Sequence, residues 1–188
     1  MLTARFEEAL LYATRLHADQ TRKGSDIPYV SHLMTVAALT LEYGGGEDEA
    51  IAALLHDAVE DQGGDQTRVE ILRRFGPVIT KIVDGCTDAD TFPKPPWRPR
   101  KEAFMTTLRA APGSVRLVVA CDKLHNARAM VKDYRVCGEG LWDRFSGGRA
   151  GTLWYYRTMV DVLHSATTVH VVKELDRVVS ELETLAAR

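Results

Sequence analysis

Residues 52–61 read AALLHDAVED. Ala52, Ala53, Leu54, Leu55, Ala58 and Val59 suit a buried helix, yet His56, Asp57, Glu60 and Asp61 interrupt them. A charge among such neighbours is costly unless it is paired, hydrogen-bonded or bound to a metal. The four polar residues therefore satisfy one another or serve a site. On a continuous helix His56, Glu60, Asp57 and Asp61 fall at about 0°, 40°, 100° and 140°. His56 then stacks over Glu60 and Asp57 over Asp61 as i,i+4 pairs. Ordinary helix contacts would give the same arc, although a solvated face would carry more Lys, Gln or Ser.

Outward from this stretch the pattern is helical nearly throughout. Residues 3–19 place Phe6, Leu10, Ala13 and His17 at helical spacing. The polar break DQTRKGSDIPY (19–29) is punctuated by Gly24 and Pro28. Ser31 is placed to cap a second helix that runs to about Tyr43 and ends at Gly44–Gly46. Glu47–Glu49 suit the first turn of the third helix, which carries the opening motif. Thr67 with Glu70 predicts a capping box for a fourth helix that stops near Gly76–Pro77, and a fifth runs on to about Cys86. TDADTFPKPPWRPR (87–100) holds four of the seven prolines and reads as a loop over 88–99. Phe92 and Trp97 read as its anchors. A helix from Arg100 to Ala111 and a long apolar one from Val115 to about Tyr134 follow. GEGLWDRFSGGRAGTLWYY (138–156) predicts a short helix, a Gly-rich turn and the start of a last helix pair. Trp142, Trp154, Tyr155 and Tyr156 read as core or interface. With no β-alternation, the fold class is all-α: a globular helical bundle, one domain over residues 1–188.

The composition, 45% hydrophobic and 27% charged, is that of a globular chain. A net charge of −2 gives no global attraction to nucleic acid or membrane. No apolar run approaches the roughly 20 residues that span a bilayer. The N-terminus lacks a signal pattern, and Cys86, Cys121 and Cys137 read as free thiols. A cytoplasmic protein is expected, with neither nucleic acid nor membrane as partner; homo-oligomerisation is left open.

Two further stretches carry polar residues in apolar surroundings. In PYVSHLMTVAALTL (28–41), His32 opens an apolar helix. In LVVACDKLHNARAM (117–130), Asp122 is embedded, with Lys123, Asn126 and Arg128 near it. A satisfied core histidine and a structural ion pair are the plain alternatives. Together, His32, His56, Asp57 and Asp122 supply two imidazoles and two carboxylates, a mixed N/O set that suits manganese, iron or zinc better than calcium. A metal so held lowers the pKa of bound water and polarises a phosphoryl oxygen, leaving Glu60 and Asp61 for proton transfer or water orientation.

These residues match the H…HD…D pattern of HD-domain metal-dependent phosphohydrolases. RKGSDIPYVSH (22–32), LLHDAVED (54–61), FG (75–76) then IVDGCTD (82–88), RK (100–101) and DKLHNAR (122–128) narrow the match. In that order they resemble the hydrolase domain of RelA/SpoT-type alarmone enzymes, at the size of the stand-alone small alarmone hydrolases. The resemblance covers about residues 5–135, leaving a C-terminal helical extension over about 136–188.

The resemblance implies an HD-type bundle that removes the 3′-pyrophosphate of guanosine tetra- or pentaphosphate with one manganese ion, or another divalent metal. It makes His32, His56, Asp57 and Asp122 the ligands. Glu60 and Asp61 become the pair that activates or orients water. Asn126 lies near the substrate ribose and the metal, Arg22 and Lys23 lie against base and phosphates, and Arg100 and Lys101 face the pyrophosphate. A small-molecule nucleotide is the implied partner, and without room for a synthetase domain hydrolysis alone is expected. The sequence departs from the pattern at Leu33, at GSDI (24–27), which is one residue longer than in the bifunctional enzymes and has Gly24 in place of Ser, at Val119 and at Ala129. These departures keep two alternatives open: an HD-type phosphohydrolase of another nucleotide (an adenosine alarmone, NADPH or a nucleoside phosphate), and a non-catalytic nucleotide-binding regulator.

Overall fold

The computed structural model describes residues 1–89, 93–164 and 169–187. Helix α1 (Ala4–Leu16) is capped by the Thr3 hydroxyl, which accepts from the Arg5 N–H. A loop then closes on itself. The Arg22 N–H donates to the Ile27 carbonyl at 2.9 Å and the Tyr29 N–H to the Gln20 carbonyl at 2.8 Å. An isolated bridge between Thr21 and Pro28 lies here, and among the described residues there is no strand. Helix α2 (Val30–Glu42) begins at Tyr29 without a side-chain cap. Ser31 lies inside the first turn, so the expected Ser31 cap is not formed; the fixed loop sets the helix start instead.

Helix α3 (Glu47–Leu55) has the acidic first turn the sequence predicts, and Glu49 accepts from the Gly46 N–H at 3.0 Å. Every residue from Ala50 to Leu55 is fully buried, which makes this the central helix. It ends at His56. Asp57 (φ −98°, ψ −1°) precedes the single-turn α4 (Ala58–Asp61). The opening motif is therefore two helices meeting at the His-Asp step, not one continuous helix.

Helix α5 (Asp65–Cys86) contains the break predicted at Gly76–Pro77: Gly76 has φ 83° and ψ 175°, a backbone glycine reaches without strain, and Pro77 restarts the helix. Thr67 and Glu70 form no capping box. The N-cap is Gly64, the Thr67 hydroxyl donates to the Gln62 carbonyl, and Glu70 pairs with Arg73 and Arg74. Helix α6 (Trp97–Arg109) starts three residues before the predicted Arg100, inside the expected loop 88–99. Pro99 sits in its first turn, where a missing N–H costs nothing. Helix α7 (Gly113–Cys137), a 3-10 segment (Gly138–Arg144), α8 (Gly148–His164) and α9 (Val169–Ala186) complete the chain.

Around α3 pack α1, α2, α5 and α7; α7 also packs against α9, and α8 bridges α6 and α9. One apolar core runs through Leu33, Ile51, Leu54, Ile79, Leu124, Met159 and Leu175. The all-α expectation agrees with this architecture. The ends of α2 and α3 and the middle of α7 meet at one place, and there the buried polar residues gather.

Candidate metal centre and active site

His32 and His56 are buried, at 0% and 3% exposure. The Nε2 atom of each is shut away from solvent without a hydrogen bond of acceptable geometry. The His56 Nδ1 lies 2.8 Å from the Ala53 carbonyl oxygen, which can only accept. Nδ1 therefore carries the proton, and Nε2 presents a lone pair in the neutral ring. That atom lies 3.0 Å from Asp57 Oδ2 and 3.7 Å from Asp122 Oδ1. The His32 Nε2 lies 3.6 Å from Asp57 Oδ2 and 3.2 Å from Asp122 Oδ1. Ligand atoms of His32, His56 and Asp57 all fall within 4.8 Å of one another. Two buried Nε2 atoms without a hydrogen bond and two carboxylate oxygens converging on one point fit a divalent cation.

The charges agree with that fit. Burial opposes ionisation of His56, but Asp57 and Asp122 outweigh it and hold its imidazole well above the ordinary value. Burial also opposes charge on Asp57 and Asp122. Against it, His56 and His32 hold Asp57, and Lys123 with the two histidines holds Asp122, well below the usual carboxylate range. The two carboxylates thus draw positive charge to this point, a proton on His56 where no cation is bound and a cation where that proton is displaced.

Outer contacts fix each of these side chains. The Tyr29 hydroxyl donates to Asp57 Oδ2 at 2.5 Å. The Asp122 carboxylate accepts from Asn126 at 2.5 Å and from Lys123 at 2.6 Å. Asn126 in turn accepts from Arg22 at 2.6 Å, so the loop before α2 is tied to the middle of α7. His32 Nδ1 and His125 Nδ1 are 2.6 Å apart, with the rings stacked at 4.9 Å.

Above the floor opens a cavity of about 820 Å³. Asp57, Glu60, Asp61, Asp122, Arg22, Lys23, Arg100, Lys101 and Asn126 all line it, while His32 and His56 lie beneath. Every residue the sequence proposed for the site is thereby brought to one place. Their detailed partners differ from the sequence reading in two ways. Glu60 and Asp61 are not left free: Lys94 lies 2.7 Å from Glu60 and 3.8 Å from Asp61, and Gln20 donates to Asp61 at 2.9 Å. Arg100 and Lys101 both pair with the buried Asp88, and Arg100 reaches to 3.7 Å from Glu60. Burial first, and then Asp88, raises the Glu60 carboxyl above its usual range.

Several residues of this site escape the sequence reading. Tyr29, Lys94, His125 and Gln20 stand inside the quoted motifs or beside them, but nothing in their spacing marks a role; Lys123, by contrast, forms with Asp122 the ion pair the sequence offered as the plain alternative. Tyr155 and Tyr156, read from sequence as core or interface, are buried and also line the cavity. The Lys101 ammonium lies 5.1 Å from the Tyr155 ring, and burial pushes the Tyr155 phenol up to about 12. Trp97 packs its ring near Trp154 and Tyr155, as an anchor of α6; Phe92 lies outside the described residues.

A family model described as HD domain matches residues 9–152. The guanosine-3′,5′-bis(diphosphate) 3′-pyrophosphohydrolase MESH1 of Xenopus tropicalis is 38% identical over 138 residues, 72% of this chain and 72% of that protein. MESH1 of Homo sapiens is 37% identical over 128 residues, 66% of this chain and 69% of that protein. A solved structure of a metazoan ortholog of SpoT, described as hydrolyzing ppGpp and playing a role in starvation responses, superposes with a TM-score of 0.78. It shares 26% identity, and 95% of each chain is covered.

Proposed function

The chain belongs to the HD-domain family, and from that premise we propose that it hydrolyses the 3′-pyrophosphate of guanosine tetra- or pentaphosphate to GDP or GTP and pyrophosphate. The observation that carries the proposal is the pair of buried, unpartnered Nε2 atoms facing two carboxylates at the floor of a cavity with cationic walls. The activity of the MESH1 relatives supports the substrate.

In this reading His32, His56, Asp57 and Asp122 hold one divalent ion, manganese by the resemblance. When bound, that ion supplies Lewis acidity to the phosphoryl group and acidifies water. Glu60 and Asp61 accept the proton of the attacking water. The raised Glu60 carboxyl moves toward the range in which a general base works near neutrality. Water adds to the phosphorus next to the ribose, the O3′–P bond breaks, and the 3′-oxygen takes up a proton. A substrate with at least four phosphates needs local positive charge on a nearly neutral protein. Arg22, Lys23, Arg100 and Lys101 supply it, with Lys94 and Lys123 beside them. Asn126 is tethered between Arg22 and Asp122, and by the resemblance it would lie near the ribose and the metal. We read residues 1–188 as one HD-type domain whose last third contributes Tyr155 and Tyr156 to the cavity wall, acting in the cytoplasm. Among the described residues, no helix is long and apolar enough to cross a membrane.

A side-by-side panel tests the substrate: guanosine tetraphosphate, its adenosine counterpart, NADPH and nucleoside triphosphates, each with manganese. The proposal expects the highest kcat/KM on guanosine tetraphosphate. Faster cleavage of another member while guanosine tetraphosphate stays intact would overturn it and move the assignment to that nucleotide.

A further inference from the structure

We propose that Gln20 is a positioning residue that holds the Asp61 carboxylate through an amide whose polarity that carboxylate sets and whose oxygen His17 and Gln62 brace. Three contacts meet at this one side chain. The Gln20 Nε2 donates to Asp61 Oδ2 at 2.9 Å. The Gln20 Oε1 lies 2.6 Å from His17 Nδ1 and accepts from Gln62 Nε2 at 2.7 Å.

The chemistry leaves one arrangement. An ionised carboxylate only accepts, so the amide end toward Asp61 must be the NH₂ group. The oxygen then faces His17 and Gln62, which must both donate. His17 therefore carries its proton on Nδ1. The ring is held for that purpose: it is 2% exposed and stacks on Tyr29 at 5.3 Å with 22° between planes. The Gln20 main chain is equally fixed, donating to the His17 carbonyl at 3.1 Å and accepting from Tyr29 at 2.8 Å. Asp61, at the end of the single-turn α4, has little else to orient it. Gln20 ties one carboxylate oxygen and leaves the other, Oδ1, on the side of Lys94. An amide held at three points sets that rotamer before substrate arrives.

The contribution to catalysis rests on the role given to Asp61 above; the hydrogen-bond geometry does not. The test is a cycle of Gln20→Met, Asp61→Ala and the double variant, with Gln20→Glu alongside. Glutamate keeps the size and both acceptor contacts but presents an oxygen to Asp61. Gln20→Met and Gln20→Glu should each lower kcat about tenfold, since both remove the charge-assisted hydrogen bond to Asp61, with KM and manganese affinity unchanged. In the Asp61→Ala background, Gln20→Met should cost nothing further. A rise in KM at constant kcat would make Gln20 a substrate contact and overturn the inference, as would a full tenfold loss in the Asp61→Ala background. A second readout needs no turnover. The Gln20 side-chain amide resonance, identified by its loss in Gln20→Met, should move in both Asp61→Ala and His17→Phe. An amide signal indifferent to Asp61→Ala refutes the contact. If the wild type cleaves no nucleotide, the functional reading fails and this signal still decides the geometry.

Discussion

Replacing Tyr29 by Phe removes one atom that touches the metal centre from outside. The phenol donates to Asp57 Oδ2 at 2.5 Å, and that oxygen lies 3.0 Å from the His56 Nε2. The ring itself is locked elsewhere, stacked on His17 and edge-on to His32 at 5.4 Å. Phe keeps those ring contacts, so the variant should still fold, with a thermal midpoint lowered by several degrees at most. What is lost is a hydrogen bond to a charged acceptor, worth about 1.5–3 kcal/mol. Part of that energy orients the carboxylate, and losses of this kind typically weaken metal binding about tenfold to a hundredfold. Titration of manganese into metal-free protein, followed by the paramagnetic resonance of the free ion, reads the change directly. Unchanged manganese affinity in a folded Tyr29→Phe protein would refute the claim that Tyr29 orients a metal-binding carboxylate.

Three other outcomes follow from the same geometry. A Cβ at Gly85 would meet Val115 Cγ2 at 2.7 Å and Cγ1 at 2.8 Å where α5 crosses α7, so Gly85→Ala should cost about 1–3 kcal/mol in urea unfolding; a neutral result would show that the two helices can part freely. Glu174 joins α9 to Arg128 of α7, and Arg177, with Arg128, lowers its carboxyl to about 2. Its stabilisation is present above the ordinary glutamate range and is lost as pH falls through about 2. Glu174→Gln should thus remove at most about 1 kcal/mol at neutral pH, the worth of a surface pair, and close the gap with the wild type in acid. Manganese at about a hundredfold excess over its Kd adds about 2.7 kcal/mol to the stability of a protein that binds it only when folded, a rise of roughly 5–10 °C in Tm for a chain of this size. His56→Ala should abolish that rise, and a variant that kept it would place the ion elsewhere.

The helices were legible because burial repeats along the chain, and Gly76–Pro77 marked its break because neither residue continues a regular helix. The metal-site residues stood out because charge in an apolar run needs a reason. What the sequence did not disclose depends on tertiary contact. His32 meets His125 across 93 positions and Arg22 meets Asn126 across 104, distances over which no local spacing carries information. The Thr67–Glu70 signature was outcompeted: Gly63 and Gly64, both at positive φ, set the start of α5, and the Thr67 hydroxyl turned back to Gln62. Periodicity gave the His56–Glu60 arc its continuous helix, and the step at Asp57 divides it. Tyr155 and Tyr156 have the composition of core residues and are buried like them; only the fold shows that the same rings face the cavity.

The most direct measurement is product analysis of guanosine tetraphosphate incubated with the protein and manganese, beside an Asp57→Ala control. The account predicts GDP and pyrophosphate in equal amounts, dependent on manganese and absent from the variant. Intact guanosine tetraphosphate after incubation with folded, manganese-bound protein, or equal release by Asp57→Ala, would contradict it.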